Sequence, residues 1–294
     1  MELSTVNSKW NALVCLIIFC APIAGEDSAH RLEMQSKKVA NGPVLDGSSQ
    51  DETWGTASTL VVQMEKLGED AGRESQAAIT SVHTNEEIFL LVQWLDGTRN
   101  DSHKPWVWNK AKGAYEQGKD IEDVFSIGFP LKGRFTGNMA SPVETEWDVW
   151  HWKAARTNPA GYAMDKRHIH TFRKPRGKAK SFKTRSGKLI WIARPEDKGD
   201  SPQKKQKVPG KFQGDRVPQY IPGKPTGSAA DIKAKGEWKN GLWTVELARK
   251  LNTSHGDDAV LKIGGTIEMA IALFDHSEHE EHSVSKVIVL KLAQ

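Results

Sequence analysis

Residues 147–153 most limit what this chain can fold into, because the character of their side chains changes strictly from one position to the next. A strand sends successive side chains to opposite faces. Large aromatic rings around a histidine form an apolar wall beside a group that can coordinate or hydrogen-bond. The pattern therefore predicts a strand beside a site for a flat cofactor or a sugar ring. One face would carry Trp147, Val149, His151 and Lys153, and the other Asp148, Trp150 and Trp152.

The first 25 residues have the pattern of a secretory signal peptide. Lys9 precedes an apolar run over residues 10–24, which ends in small residues before a polar stretch. The run is too short to span a bilayer comfortably. We therefore expect cleavage near Gly25 and export to the periplasm or the extracellular space. No later segment is long and apolar enough for a transmembrane helix, so residues 26–294 are expected to be soluble or peripheral.

Both cysteines, Cys15 and Cys20, lie within this leader. The exported chain is therefore expected to form no disulfide, no thiolate metal site and no thioether-linked haem. Any metal would be held by His, Met, carboxylate or Lys side chains, and any haem would be non-covalent.

Short apolar runs separated by turn residues predict an all-β protein. Asn240 and Gly241 lie between two alternating runs and form a strong signal for a two-residue hairpin turn. We predict roughly nine to eleven strands in a single β-sandwich domain of the jelly-roll type over residues 26–294. The predicted strands cover residues 60–64, 77–83, 88–95, 124–129, 147–153, 189–192, 229–237, 242–248, 266–274 and 284–292.

Residues 172–226 interrupt the strand pattern with a segment rich in Lys, Gly and Pro. From Arg173 to Lys211 there are 14 Lys or Arg residues against 3 Asp or Glu residues. We predict a long basic excursion from the sandwich, partly disordered, with one short strand at residues 189–192. Few aromatic residues are interleaved with the charges, and the chain is predicted to be exported, so nucleic acid is not expected as a partner.

Histidine and methionine side chains are the candidate ligands for a metal or a haem. His151 lies in mid-strand between two tryptophans, where a core histidine bonded to a neighbour is the simpler interpretation. Met139 lies in a loop of small residues, where a role in the core explains it poorly. His282 directly precedes an apolar strand and is placed to point inward. His168 and His170 are expected at the surface.

Motifs for catalysis are missing from the sequence. It has no Gly-x-Ser-x-Gly, no glycine-rich phosphate loop and no His-Glu-x-x-His. The sequence therefore gives catalytic functions little support.

Two long blocks, residues 148–162 and 227–251, resemble the signature of the haem-binding domain shared by the gamma subunit of ethylbenzene dehydrogenase and related cytochromes. Weaker similarity in an opening Leu45-Asp-Gly motif and a closing segment at residues 270–285 extends the resemblance over residues 40–293, apart from the basic excursion.

The resemblance implies an exported β-sandwich that holds one haem b and transfers electrons. Relatives often serve molybdenum enzymes, and the basic excursion would then dock an acidic redox partner. Better-known members use a Met and a Lys as axial ligands. The corresponding positions here are Met139 and His282, with His151 as a competing ligand. The residues expected to contact the haem are Met139, His151, His282, Trp150, Trp152 and Arg156.

Two other functions remain open. A carbohydrate-binding β-sandwich module without haem would use the tryptophan cluster as a platform for sugar rings, although Trp147 and Trp150 are predicted to face opposite sides of the strand. Alternatively, the sandwich is only a scaffold for a basic segment that binds a partner.

Overall fold

The structure is a computed structural model that describes residues 32–67, 74–184, 186–277 and 282–294. The predicted leader, residues 1–25, lies outside the described residues. Within those ranges, no helix has the length and apolar character needed to cross a membrane.

The predicted all-β architecture is confirmed, but the described residues contain nineteen strands. The predicted number of strands is too low, because many of the additional strands are short and lie in connections without clear alternation. Three short 3-10 helices lie at Trp54–Thr56, Asn158–Ala160 and Gly227–Ala230. The strands are β1 (Leu32–Lys38), β2 (Thr59–Lys66), β3 (Glu74–His83), β4 (Glu87–Leu95), β5 (Trp106–Asn109), β6 (Ala114–Gln117), β7 (Val124–Gly133), β8 (Thr145–Lys153), β9 (Met164–Thr171), β10 (Ala179–Lys183), β11 (Leu189–Ala193), β12 (Gln203–Lys205), β13 (Arg216–Val217), β14 (Tyr220–Pro222), β15 (Lys233–Lys239), β16 (Leu242–Lys250), β17 (Thr266–Phe274), β18 (Ser283–Ser285) and β19 (Ile288–Leu292).

Most strands form one large, mainly antiparallel sheet that folds over itself into a β-sandwich. Along the first layer the strand order is β10-β11-β9-β8-β7-β17. The short strand β18 continues from β17 into the second layer, which has the order β2-β3-β4-β16-β15. β1 pairs in parallel with both β19 and β3 and so connects the two layers at one side.

The core between the layers is centred on Trp152 of β8, which is fully buried. Its ring centroid lies 5.1 Å from that of Trp243 and 6.3 Å from that of Trp94, both in the facing layer. Gly236 of β15 lies directly against the Trp152 ring, where a Cβ atom would clash. The alternation of β8 is therefore confirmed, and the face that carries Trp150 and Trp152 is the one that packs in the core.

The predicted Asn-Gly hairpin joins β15 to β16. Asn240 and Gly241 both have left-handed backbone conformations, with φ of 53° and 82°. These values are those that a tight two-residue turn requires. Lys239 pairs with Leu242 across the turn, so the two-residue turn sets the register of the hairpin.

The basic excursion has more structure than its composition predicts. The strand predicted at residues 189–192 is confirmed as β11, which pairs with β9 and extends the first layer. β12 and β14 form a separate two-stranded sheet, and β13 joins β5 and β6 in a three-stranded sheet. β13 pairs with β5, which is remote in sequence, and local composition carries no signal for such pairing.

Candidate functional site

Two of the predicted ligands, His151 and His282, contact the same aromatic ring. The centroid of His151 lies 6.1 Å from that of Phe274, and its Nδ1 lies 3.0 Å from the hydroxyl of Ser126. The ring of His282 stacks on Phe274 with the centroids 4.5 Å apart and the planes 13° from parallel. The fold therefore gathers these two histidines on the outer face of the first layer.

Trp150 and Trp152 lie on the opposite face of β8 from His151. Both are fully buried in the core between the layers. The Trp150 ring is 5.0 Å from that of Phe129. Because a strand alternates its side chains, these two tryptophans cannot form the wall of a pocket on the His151 side.

Met139 packs on the outer face among a different set of side chains, which includes Trp147 and Ala270. Its Sδ atom lies 4.0 Å from a guanidinium nitrogen of Arg194.

Arg156 is held inside the protein by the fully buried carboxylate of Glu122. Its Nε donates to one oxygen of Glu122, and its backbone N–H and that of Ala155 donate to the other at 2.9 and 2.7 Å. Its guanidinium also lies 5.4 Å from the ring centroid of Tyr220. Arg156 thus neutralises an internal carboxylate.

The six residues predicted for a haem pocket are therefore divided between the two faces of β8 and an internal ion pair. They do not line one haem pocket in this structure. The individual roles assigned to them in cofactor binding stay predictions.

Several bases are buried beneath the excursion on the outer face of β8 and β9. His168 and His170 are 9% and 1% exposed, so the prediction that they lie at the surface is wrong. The pairing of β11 with β9 places Ile192 directly opposite His170 and covers it. Nearby, Lys153 donates from Nζ to Met164 Sδ at 2.7 Å, and burial lowers the pKa of Lys153 well below its usual value.

His170 is expected to make the fold sensitive to acid. Burial, with a smaller contribution from Arg194, lowers the pKa of His170 to about 4, whereas an unfolded histidine titrates near 6.5. The unfolded chain therefore takes up the proton first, and stability falls as pH falls from about 6.5 towards 4. Between pH 7 and 4.5 this one group should lower the free energy of unfolding by about 2 kcal/mol.

Urea denaturation of wild type and of the variant His170→Gln over this pH range would measure the effect. We expect the slope of stability against pH to be smaller in His170→Gln, whatever its stability at neutral pH. The variant His276→Gln alters an exposed histidine and is the matched control. Equal slopes for wild type and His170→Gln would contradict the assignment.

An aromatic group that the sequence reasoning missed lies on the three-stranded sheet of β5, β6 and β13. We call Trp106, Trp108, Tyr115 and Phe212 the aromatic platform. The Trp108 ring lies 5.0 Å from that of Tyr115 and 5.2 Å from that of Phe212, edge to face in both cases. Phe212 is 57% exposed, and Trp108 is partly exposed. The alternation Trp106-x-Trp108 is the sequence signal that could have revealed it.

Tyr115 fixes the loop that carries Phe212. Its hydroxyl donates to the carbonyl of Gly214 at 2.8 Å and accepts from the backbone N–H of Gln213 at 2.7 Å. The exposed Phe212 ring is therefore held beside Trp108 by a hydrogen-bonded anchor in the neighbouring strand. This arrangement preorganises an apolar surface in contact with solvent.

Polar groups lie near the platform. A cavity of about 310 Å³ is lined by residues that include Asn100, Asp101 and Asp120. Asp120 pairs with Arg216 of β13, which places this cavity beside the small sheet. Asn109 donates from Nδ2 to Glu116 at 2.9 Å, but both side chains alternate with the platform residues along β5 and β6 and lie on the other face of the sheet.

The fold is that of a β-sandwich protein with exposed aromatic rings on the small sheet of β5, β6 and β13. The chain belongs to the ethylbenzene dehydrogenase family (EB_dh), whose family model matches residues 51–285. This match confirms the family predicted from the two sequence blocks. The family is associated with haem b. A search of curated proteins found no match.

Similar solved structures include three carbohydrate-binding proteins. A family 9 carbohydrate-binding module from Caldicellulosiruptor kristjanssonii with glucose is 9% identical, with 88% of this chain and 95% of that chain covered and a TM-score of 0.41. A putative carbohydrate-binding protein from Bacteroides uniformis is 10% identical, with 89% and 99% covered and a TM-score of 0.43. A family 9 module from Caldicellulosiruptor kristjanssonii with cellotriose is 10% identical, with 90% and 93% covered and a TM-score of 0.37.

These findings correct the predicted function. The sequence predicted an exported haem protein that transfers electrons, whereas the three similar structures are carbohydrate-binding proteins. The prediction of an electron-transfer cytochrome is wrong. Within this chain, Trp150 and Trp152 lie in the core on the opposite face of β8 from His151.

Proposed function

We propose that this protein binds carbohydrate and that the aromatic platform is its binding surface. The observation that carries the proposal is the pair of rings formed by Trp108 and the 57% exposed Phe212, fixed in place by Tyr115. A monomeric protein seldom holds large rings rigidly against water without a ligand to cover them.

The chemistry of the platform suits a sugar. A pyranose ring has faces of C–H groups and a rim of hydroxyls, so it needs an apolar plate bordered by donors and acceptors. Trp108 and Phe212 supply the apolar surface, and the polar cavity that Asn100, Asp101 and Asp120 line lies beside the same small sheet. The edge-to-face contacts keep the rings in a fixed orientation, which lowers the entropy lost on binding.

Export is part of the proposal. The pattern of residues 1–25 is that of a cleaved leader, and polysaccharides lie outside the cytoplasm. Sequencing the N-terminus of the protein recovered from its natural host is expected to start close to residue 26. A mature chain that retained Met1 would contradict this part of the proposal.

Removing one ring of the platform is expected to weaken binding. In Phe212→Ala the aromatic platform loses its exposed ring, while Trp108 keeps its contact with Tyr115. Loss of such an anchor typically costs about 1–2 kcal/mol, so we expect affinity to fall about 5- to 30-fold. Affinity electrophoresis against soluble polysaccharides, followed by calorimetric titration with glucose and cello-oligosaccharides, would measure the change.

The variant Trp191→Ala is the matched control. Trp191 is another partly exposed tryptophan, but it lies on β11 beside Lys174 and away from the small sheet. It should bind as wild type does, whereas Trp108→Ala should lose affinity at least as strongly as Phe212→Ala. Equal affinity of Phe212→Ala, Trp108→Ala and wild type would show that the platform is not the binding surface.

The same preparation distinguishes carbohydrate binding from the cofactor associated with the family. Haem b would give an absorption band near the Soret region that shifts on reduction. We expect a colourless protein, because Trp150 and Trp152 lie in the core and cannot form the wall of a haem pocket on the His151 side of β8. A stoichiometric haem spectrum from haem-replete cells would contradict this expectation.

A further inference from the structure

Four aspartates meet at one edge of the core, where β8 and β9 lie beside the loop that follows β16. We call Asp148, Asp165, Asp197 and Asp258 the carboxylate cluster. Single carboxylate oxygens of Asp148, Asp165 and Asp258 lie within 4.8 Å of one another, and oxygens of Asp197, Asp257 and Asp258 form a second such group. The four members of the cluster are between 0% and 8% exposed.

Asp165 provides an observation that is independent of the clustering. It is 2% exposed, and neither of its carboxylate oxygens has a hydrogen-bond partner among the described residues. Its oxygen atoms are directed towards two other carboxylates, Asp148 and Asp258. Burying an ionised carboxylate without a hydrogen-bond donor is strongly unfavourable. A cation bound at this point would therefore stabilise Asp165.

The charges of the neighbouring side chains do not balance. Arg249 supplies one positive charge, with Nη1 2.5 Å from Asp148 and 3.6 Å from Asp258. Ionisation of all four carboxylates beside this one guanidinium would leave three negative charges at the edge of the core, and burial accordingly raises the pKa of Asp165. A divalent cation would offset most of that excess and fill the unused oxygen positions.

We propose that the carboxylate cluster binds one calcium ion. Its donors are all oxygen atoms, which suit hard cations. Calcium accepts six to eight oxygens in flexible geometry, whereas magnesium requires a strict octahedron and retains several waters, which a buried cluster accommodates poorly. Backbone carbonyls and water would complete the coordination.

A route to the cluster is present. A cavity of about 400 Å³ is lined by residues that include Ser254, His255 and Asp257. Asp257 shares the second oxygen group with Asp197 and Asp258, so this cavity opens beside the cluster. The bound ion would join β8 and β9 to the loop after β16 and stabilise this end of the sandwich, a role separate from carbohydrate binding.

Chelation and readdition of calcium test the proposal. The full chain is dialysed against a chelator and then titrated with calcium chloride by calorimetry. We expect one site with a Kd at or below about 10⁻⁴ M. Calcium at 100-fold above that Kd should raise the melting midpoint by roughly 5–10 °C. Magnesium chloride at the same concentration should raise it much less.

The variant Asp165→Asn separates a calcium site from a cluster that is merely protonated. It should lose the calorimetric signal and the calcium-dependent rise in melting midpoint. In chelator it should melt no lower than wild type, because one repulsive charge is gone. Asp101→Asn changes an exposed aspartate beside Arg99 and is the control, with calcium binding as in wild type.

Three results would overturn the proposal. The first is wild-type protein that melts at the same temperature in chelator and in calcium and gives no binding heat. The second is Asp165→Asn protein that binds calcium as tightly as wild type does. The third is an equal response to magnesium, which would reject the choice of calcium.

Discussion

Arg249→Met is expected to lower the free energy of unfolding by about 3–5 kcal/mol. Arg249 is 1% exposed and pairs with Asp148 and Asp258 in the interior. Its Nη2 also donates to the carbonyl of Ala259, and its guanidinium lies 4.7 Å from the ring centroid of Trp150. Methionine restores the apolar volume but leaves buried carboxylates without their counter-charge, and this uncompensated charge causes the loss.

Urea denaturation followed by tryptophan fluorescence would measure this loss. The control Arg99→Met breaks an exposed pair with Asp101 and should change stability by no more than about 1 kcal/mol. If Arg249→Met does not fold, Arg249→Lys keeps the charge and should be intermediate in stability. A loss below about 1 kcal/mol in Arg249→Met would show that the buried carboxylates do not depend on the guanidinium.

Trp152→Ala is expected to destabilise the fold by about 3–5 kcal/mol, the usual range for removing a buried aromatic side chain. Trp152 contacts Trp94 and Trp243 of the facing layer, and Gly236 lies against its ring. Its Nε1 donates to the side chain of Asn158 at 3.2 Å. Truncation therefore leaves a cavity between the layers that the rigid sheet cannot fill.

Chemical denaturation would also measure this effect, with Trp191→Ala as the control for loss of a tryptophan. Trp191 is partly exposed on β11, so its removal should cost much less. A similar loss in the two variants would contradict the central position of Trp152 in the core.

Sequence patterns predicted the elements whose structure depends on neighbouring residues. The alternation of residues 147–153 identified β8, and Asn240-Gly241 identified the hairpin between β15 and β16. Apart from β11, the strands of the basic excursion could not be predicted in the same way, and β13 pairs with β5, which is remote in sequence. Strand pairing over such separations depends on tertiary contacts that composition does not record.

The candidate sites were less predictable than the strands for the same reason. The carboxylate cluster combines Asp148, Asp165, Asp197 and Asp258, which lie on four separate segments. The aromatic platform combines β5 and β6 with Phe212 from the excursion. Adjacency in sequence grouped Trp150 and Trp152 with His151, although a strand sends them to opposite faces.

A crystal structure of the protein soaked with cellotriose tests the account most directly. We expect a sugar ring in contact with Trp108 and Phe212, with hydroxyls bonded to side chains of the neighbouring cavity such as Asn100 and Asp120. A saccharide bound elsewhere, or none at saturating concentration across a panel of oligosaccharides, would contradict carbohydrate binding on the aromatic platform.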